Sequence, residues 1–326
     1  MPIRLLSFIK NGSNLEVTLL ERAAILAHLE YKLHKKFHAE YSSWAFESRI
    51  IRTLGLIEEE AGYAILSHTW LQSSPGEITY TDWINGHVNP NDLGYQKLVR
   101  FCQTAWTHHG TCLGWMDTLC INKDSSVELD ESIRSMFGWY HRAKVCIVYL
   151  ADTSTLHEMH LDPWFTRGWT LQELFAPKVV KFYNKYWRQF EENSENDTPH
   201  AAYVNGSWSG GTYIQRYSSE IMNKIKEATT ITPEDFPSTH THRKPSLSRI
   251  MQLAANRQVT RSEDTAYSLM GMFNVSISIA YGEGLGRAFS RLLQEILNST
   301  KYGALDLLNW VSSAMSSTPQ SSISQV

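Results

Sequence analysis

Lys144-Val-Cys-Ile-Val-Tyr-Leu150, followed after a loop by Trp164-Phe-Thr-Arg-Gly-Trp-Thr-Leu-Gln-Glu-Leu-Phe-Ala-Pro177, is the pair of stretches on which the fold turns. The first reads as a strongly apolar strand. The second places two tryptophans, an arginine and a glutamate at the opening of a short helix. Trp169 and Glu173 are four apart, so a helix sets them side by side on one face. An aromatic plane beside a carboxylate suits a flat cationic ring joined to a ribose.

Working outward, further strands and helices alternate with this pair. Tyr63-Ala-Ile-Leu-Ser67, Cys112-Leu-Gly-Trp-Met116 and Val179-Val-Lys-Phe-Tyr183 read as strands. Between them, Tyr95, Leu98, Val99, Cys102, Ala105 and Trp106 form one apolar helical stripe, and Ile133, Met136, Phe137 and Tyr140 form another. Strand and helix in alternation over this length imply βαβ units around a parallel sheet. Such sheets bind ligands beyond the carboxyl ends of their strands. That edge collects Ser67, His68, Trp70, Asp117, Asn122, Asp152 and the start of the Trp169 helix.

The flanks differ in character. Ile3–Ile9 and Leu15–Leu20 around Asn11-Gly12 read as a hairpin. Residues 21–41 and 43–60 read as helical. Residues 191–212 are polar and rich in Asn, Ser and Gly. From Pro245 to Asn298 the chain reads as helical, ending in a helix with Phe289, Leu292, Leu293 and Ile296 on one stripe. The Ser-rich tail from Ser312 reads as disordered. The expected organisation is therefore an N-terminal hairpin and helical extension (1–60), an α/β core (61–187), a polar insertion and linker (188–244), a helical C-terminal segment (245–300) and a tail (301–326).

Bulk properties narrow the function. The 326 residues are 42% hydrophobic and 19% charged, as in an ordinary globular chain with a real core. A net charge of -3 gives no overall drive toward nucleic acid or an anionic membrane. No run of about eighteen apolar residues exists, so neither membrane nor nucleic acid is an expected partner, and the cytoplasm is the expected compartment. The four cysteines, Cys102, Cys112, Cys120 and Cys146, read as free thiols; with His108 and His109 they fit no zinc spacing, and no metal is expected.

Motif by motif, several chemistries drop out. No Gly-Lys-Ser/Thr phosphate loop and no Gly-x-Ser-x-Gly elbow exist. Gly282-Glu-Gly-Leu-Gly286 lacks the strand and spacing of a dinucleotide fingerprint and reads as a flexible lead into the last helix. Asp117, at a strand end, either caps the following turn or serves a ligand. Glu173 either answers the helix dipole or does chemistry; its apolar neighbours Leu171, Leu174 and Phe175 argue against a merely solvated side chain.

Three blocks carry a resemblance. Gly62-Tyr-Ala-Ile-Leu-Ser-His-Thr-Trp70, Trp115-Met-Asp-Thr-Leu-Cys-Ile-Asn-Lys123 and Arg167-Gly-Trp-Thr-Leu-Gln-Glu-Leu174 resemble the hallmark blocks of the fungal heterokaryon-incompatibility (HET) domain. Glu131 to Ala143 resembles the helix before the family's third strand. Arg261 to Phe273 and Tyr281-Gly-Glu-Gly284 resemble the segment that trails the domain. The chain departs from the family with Leu71 after Trp70, where glycine is usual, and with the added stretch 21–60.

The resemblance implies an α/β fold with a parallel sheet and flanking helices, similar to TIR domains and flavodoxin, with a mostly helical C-terminal segment and the N-terminal extension. It also implies a trigger of cell death in non-self recognition. TIR domains share the Trp-x-x-x-Glu arrangement, and in TIR enzymes that glutamate is required to cleave NAD. Carried over, Glu173 becomes the catalytic carboxylate, and Ser67, His68, Trp70, Asp117, Asn122, Arg167 and Trp169 line the substrate. NAD or a related nucleotide is then substrate rather than cofactor, and the expected partners are further copies of the chain or an activating incompatibility protein. The competing expectations are a non-catalytic signalling and oligomerisation module, and a nucleotide binder without turnover.

Overall fold

The computed structural model of the protein describes residues 1–31 (except 13 and 28), 61–190 (except 73 and 74), 217–236 and 245–299, with a two-stranded pair at 203–204 and 207–208. The helix read over 21–41 is present at 22–27 and 29–31; its remainder, the helix read over 43–60, most of the polar insertion and the C-terminal tail lie outside the described residues. The chain divides into two compact units, Met1–Trp164 with Gln172–Asn193, and Phe165–Leu171 with Ser194–Val326.

The first unit is built on a six-stranded sheet. Its strands are β1 (Arg4–Asn11), β2 (Asn14–Glu21), β3 (Ala64–His68), β4 (Leu113–Trp115), β5 (Val145–Tyr149) and β6 (Val180–Tyr183), in the order β2-β1-β4-β3-β5-β6. β4, β3, β5 and β6 run parallel. The hairpin turns at Gly12, whose φ of 63° is left-handed and cheap only without a Cβ. β1 then pairs antiparallel with β4, Leu6 opposite Gly114, so the hairpin read as an extension continues the core sheet.

Besides the helical residues 22–27 and 29–31, this unit carries α1 (Tyr80–Ile84), α2 (Leu93–His109), α3 (Asp117–Cys120), α4 (Ser126–Arg142) and the larger part of α5 (Thr170–Phe175). Consecutive residues of a strand face opposite ways, and β4 shows which helix covers which face. Gly114 faces α2: a Cβ there would lie 2.9 Å from the Phe101 ring. Trp115 faces α4, its ring edge-on to Trp139 and Tyr140 at 5.7 and 5.9 Å. α2 buries Leu98, Cys102 and Ala105 of the expected stripe and adds Phe101, while Tyr95 and Val99 are half-buried and Trp106 is exposed. α4 buries Ile133, Met136, Trp139 and Tyr140. Each such large apolar side chain contributes about 1.5–3 kcal/mol when fully buried. With both faces covered, Ala64–Leu66 and Cys146–Val148 are wholly inaccessible, which is why these strands are unbroken apolar runs.

Numbered among themselves, the parallel strands stand in the order 2-1-3-4, the doubly wound arrangement. The chain turns to one side of β3 to make β4, then to the other side to make β5. The switch lies between β3 and β5, and the crevice at the carboxyl ends of such a strand pair is where this class of sheet holds ligands. Ser67 and His68 stand at that end of β3.

The second unit is helical: α6 (Ser219–Thr229), α7 (Leu247–Ala255), α8 (Asp264–Tyr267), α9 (Met270–Phe273) and α10 (Leu285–Asn298). Ser218 and Ser246 cap α6 and α7 by accepting from the backbone N–H three residues on. Arg249 grips Asp235 through Nε and Nη2, each bond 2.8 Å. The short segment Phe165–Leu171 belongs to this unit through a parallel bridge between Arg167 and Gln258.

Candidate functional site

Ser67 and Glu173 meet on the α4 face of the sheet. Ser67 lies opposite Val148 in the parallel register, and α5 brings Glu173 over these strands, with Cys146 Sγ 3.8 Å from the Glu173 carbonyl. The Ser67 hydroxyl donates to Glu173 Oε2 at 2.5 Å, and Trp164 Nε1 donates to Ser67 Oγ at 2.7 Å. An indole N–H can only donate, so Ser67 Oγ accepts from Trp164 and its single proton goes to the carboxylate. Trp164 is wholly buried and stands edge-on to Phe182 at 5.8 Å. Glu173 itself is 8% exposed. Tyr140 donates to the Leu66 carbonyl at 3.1 Å on the same face. Burial first, and then the Glu173 carboxylate, raise the Tyr140 phenol and the Cys146 thiol well above their ordinary ionisation range. A carboxylate held this way can stabilise a cationic centre in a water-poor setting.

His68, the next residue along β3, points to the opposite face. Its Nε2 lies 3.0 Å from Asp117 Oδ1, and its Nδ1 lies 3.6 Å from Glu77 Oε1, an ion-pair distance and not a hydrogen bond. Lys97 of α2 bonds Glu77 Oε1 at 2.6 Å and the Thr69 carbonyl at 2.9 Å. Burial would raise the Glu77 carboxyl, but His68 and then Lys97 outweigh it and hold it at about 2. Trp70 Nε1 donates to Asp117 Oδ2 at 3.0 Å, and Lys123 Nζ lies 3.6 Å above the Trp70 ring. Asp117 is thus the shared partner of the His68 imidazole and the Trp70 indole.

The expected site residues thus fall into separate groups. Ser67 and Glu173 touch. His68, Trp70 and Asp117 form a second group. Asn122 belongs to a turn: its Oδ1 accepts from Asp124 N at 3.1 Å, and its backbone N–H donates to Glu128 Oε1 at 2.6 Å. Arg167 and Trp169 belong to the second unit. There the Arg167 carbonyl accepts from Arg257, and the Trp169 indole donates to the Asp264 carboxylate. α5 begins at Thr170, so Trp169 precedes its first turn and is not part of it.

Trp164, Tyr140, Glu77 and Lys97 were not legible as site residues. Tyr140 sits in an apolar stripe that reads as core, and Trp164 reads only as one of two tryptophans opening the short helix; both are core, with one polar atom each put to use. Glu77 and Lys97 are lone charges far apart in sequence, and only the fold joins them. Cys102, Cys120 and Cys146 are buried free thiols. Among the described residues no group of three or more His, Cys, Asp or Glu side chains could hold a metal ion, and no helix is long and apolar enough to cross a membrane.

Comparison with known proteins identifies the framework. Residues 63–162 match the family described as "Heterokaryon incompatibility protein (HET)". The vegetative incompatibility protein HET-E-1 of Podospora anserina is 36% identical over 245 residues, which is 72% of this chain and 16% of that protein. No solved structure matches. The matched stretch includes β3, β4 and β5 with His68, Trp70 and Asp117, and so the first two hallmark blocks from Tyr63 on; the third block, Arg167–Leu174, lies beyond it. The chain belongs to the heterokaryon-incompatibility (HET) domain family.

Proposed function

We propose that this chain is a cell-death effector of fungal non-self recognition, and that it acts by cleaving the nicotinamide–ribose bond of NAD with Glu173 as the essential carboxylate. The observation that carries the proposal is the oriented Glu173: a buried carboxylate at the switch point of a doubly wound sheet, held by a hydroxyl that is itself held by an indole. The chemistry asks for little more. Nicotinamide leaves from a pyridinium and departs neutral, so no general acid is required. The ribose gains oxocarbenium character, and one carboxylate stabilises it, whereas ordinary glycosidases use two. NAD is then substrate and no cofactor is consumed. Self-association or an activating partner protein would switch the activity on in the cytoplasm, and the likeness to the Podospora vegetative incompatibility protein supports the incompatibility role.

The test is nicotinamide release by the full chain, concentrated or clustered. Wild type should consume NAD, and Glu173→Gln should not, while keeping the wild-type circular dichroism. Equal consumption by both would remove Glu173 from the chemistry.

A second reading has its own support. A glutamate 8% exposed and bonded to Ser67 also serves as a structural tie. In that case the chain signals without turnover, by binding a partner or another copy. Clustered wild-type protein that leaves NAD untouched, yet still triggers death in cells, selects this reading.

A further inference from the structure

Trp169 and the first turn of α5 are gripped by residues nearly a hundred positions further along the chain. Gly168 N donates to the Gln258 carbonyl at 2.8 Å, and Gln258 N donates to the Thr166 carbonyl at 2.6 Å, closing a parallel bridge across Arg167. Arg257 Nη1 donates to the Arg167 carbonyl at 2.8 Å and to Thr170 Oγ1 at 2.9 Å. Thr170 Oγ1 in turn donates to the Arg167 carbonyl at 2.9 Å. A Cβ on Gly168 would lie 2.4 Å from Val259 Cγ1, so the two backbones run as close as a glycine permits. The Asp264 carboxylate takes the Trp169 indole N–H and the Tyr281 hydroxyl, the latter at 2.8 Å. Arg261 lies over the Tyr281 ring at 4.1 Å.

These contacts share a direction. A helix start needs its early backbone groups satisfied and its entry angle fixed. Arg257 bears on the entry alone: its guanidinium, a donor only, bonds the carbonyl of Arg167, three residues before the helix, and the hydroxyl of Thr170, its first residue. Glu173 is the fourth residue of that helix. Its bearing is therefore set by the turn that Arg257 holds.

We infer that residues Arg257–Asp264 are a positioning clamp for Trp169 and for the start of the helix that carries Glu173, with Arg257 as its principal positioning residue. The link to turnover rests on the NAD-cleaving reading, and the clamp itself does not.

Two measurements on the full chain keep these apart. The first is amide hydrogen exchange over residues 166–173 in wild type, Arg257→Met and Thr170→Val. Arg257→Met keeps the aliphatic stem and removes both charge-assisted bonds; Thr170→Val removes only the hydroxyl. Exchange at Gly168, Thr170 and Leu171 should quicken by at least about tenfold in Arg257→Met and by less in Thr170→Val, in proportion to the bonds lost. Protection unchanged in both variants overturns the clamp. The second is nicotinamide release: kcat should fall about tenfold or more in Arg257→Met with KM little changed, and Arg257→Lys, which restores one donor, should recover part of it. A kcat unaffected while exchange quickens overturns the link between clamp and chemistry. Wild type that releases no nicotinamide counts against the proposed reaction alone, and the exchange result still decides the clamp.

Discussion

The Ser67 hydroxyl and the Glu173 carboxylate, 106 residues apart in the chain, are joined by a 2.5 Å hydrogen bond whose direction Trp164 dictates. Ser67 is the only residue in this relay that both gives and receives. Ser67→Ala should therefore take one hydrogen bond from each of two buried groups, the indole N–H and the carboxylate. The expected cost is about 1–3 kcal/mol in urea unfolding. Nicotinamide release should fall roughly tenfold to a hundredfold, the scale seen when an orienting partner of a reactive group is lost. A variant with wild-type stability and wild-type turnover would show the bond to be idle.

Trp164→Phe separates orientation from packing. It keeps a ring against Phe182 and removes the N–H that fixes Ser67. The Ser67 hydroxyl is then free to choose another acceptor, so turnover should drop while the unfolding midpoint moves less than in Trp164→Ala, which also opens a cavity worth about 3–5 kcal/mol.

Acid should weaken the protein in two steps. The His109 imidazole is pushed down to about 4 from 6.5, by burial first and then by His108, Lys181 and Lys144. It is half-buried against Tyr183, whose hydroxyl lies 2.9 Å from its Nε2. A depressed base favours the neutral folded form, so its contribution is complete above pH 6.5 and is lost as pH falls toward 4. Glu77, ordinarily at 4.5 and here at about 2, contributes above pH 4.5 and loses that contribution as pH falls toward 2. The Glu77 step is on the order of 3 kcal/mol at about 1.4 kcal/mol per pH unit. Urea midpoints measured from pH 8 to 2 should show both steps in wild type. The lower step should vanish in Glu77→Gln, and an unchanged lower step would place the acid sensitivity elsewhere.

Gly94→Ala should disturb the same buried cluster without touching a charge. A Cβ there would lie 2.6 Å from the Gly76 carbonyl oxygen and 2.8 Å from Ile78 N, both backbone atoms that cannot swing aside. The loop bearing Glu77 must shift away from Lys97. The expected loss is about 1–3 kcal/mol, read by chemical denaturation, with a reduced pH dependence below 4.5.

Much of this architecture was legible. The strands announce themselves because a parallel sheet covered on both faces demands unbroken apolar runs, and Val145–Leu150 is such a run. The helices announce themselves because α2 and α4 each bury one stripe. Asn11-Gly12 marked a hairpin, but nothing in the hairpin's own residues says that Leu6 pairs with Gly114. Register against a distant strand is set by tertiary packing. Glu173 was legible because it stands among apolar neighbours, where a charge needs a reason. Ser67 was read as a lining residue, but its bond to Glu173 was not legible, since a serine at a strand end looks the same whatever it bonds. Gly282-Glu-Gly-Leu-Gly286 shows the reverse case. Its backbone N–H groups at Gly282 and Gly284 do face an anion, but the anion is the chain's own Glu263, at 2.9 and 3.1 Å. Gly282 and Gly284 carry φ of 95° and 83°, so the glycines are there for the turn.

The pairing of β6 with β5 bears on where this domain can be cut. The family match stops at residue 162, while β6 begins at Val180 and its partners on β5 run from Cys146 to Tyr149. A fragment trimmed to the match would bare that flank of β5, four residues whose backbone N–H and C=O groups have lost their strand partner. Bare flanks of this kind recruit other chains. Fragments intended for crystallisation or cell assays should therefore extend at least through Tyr183, or insoluble protein will be mistaken for self-association.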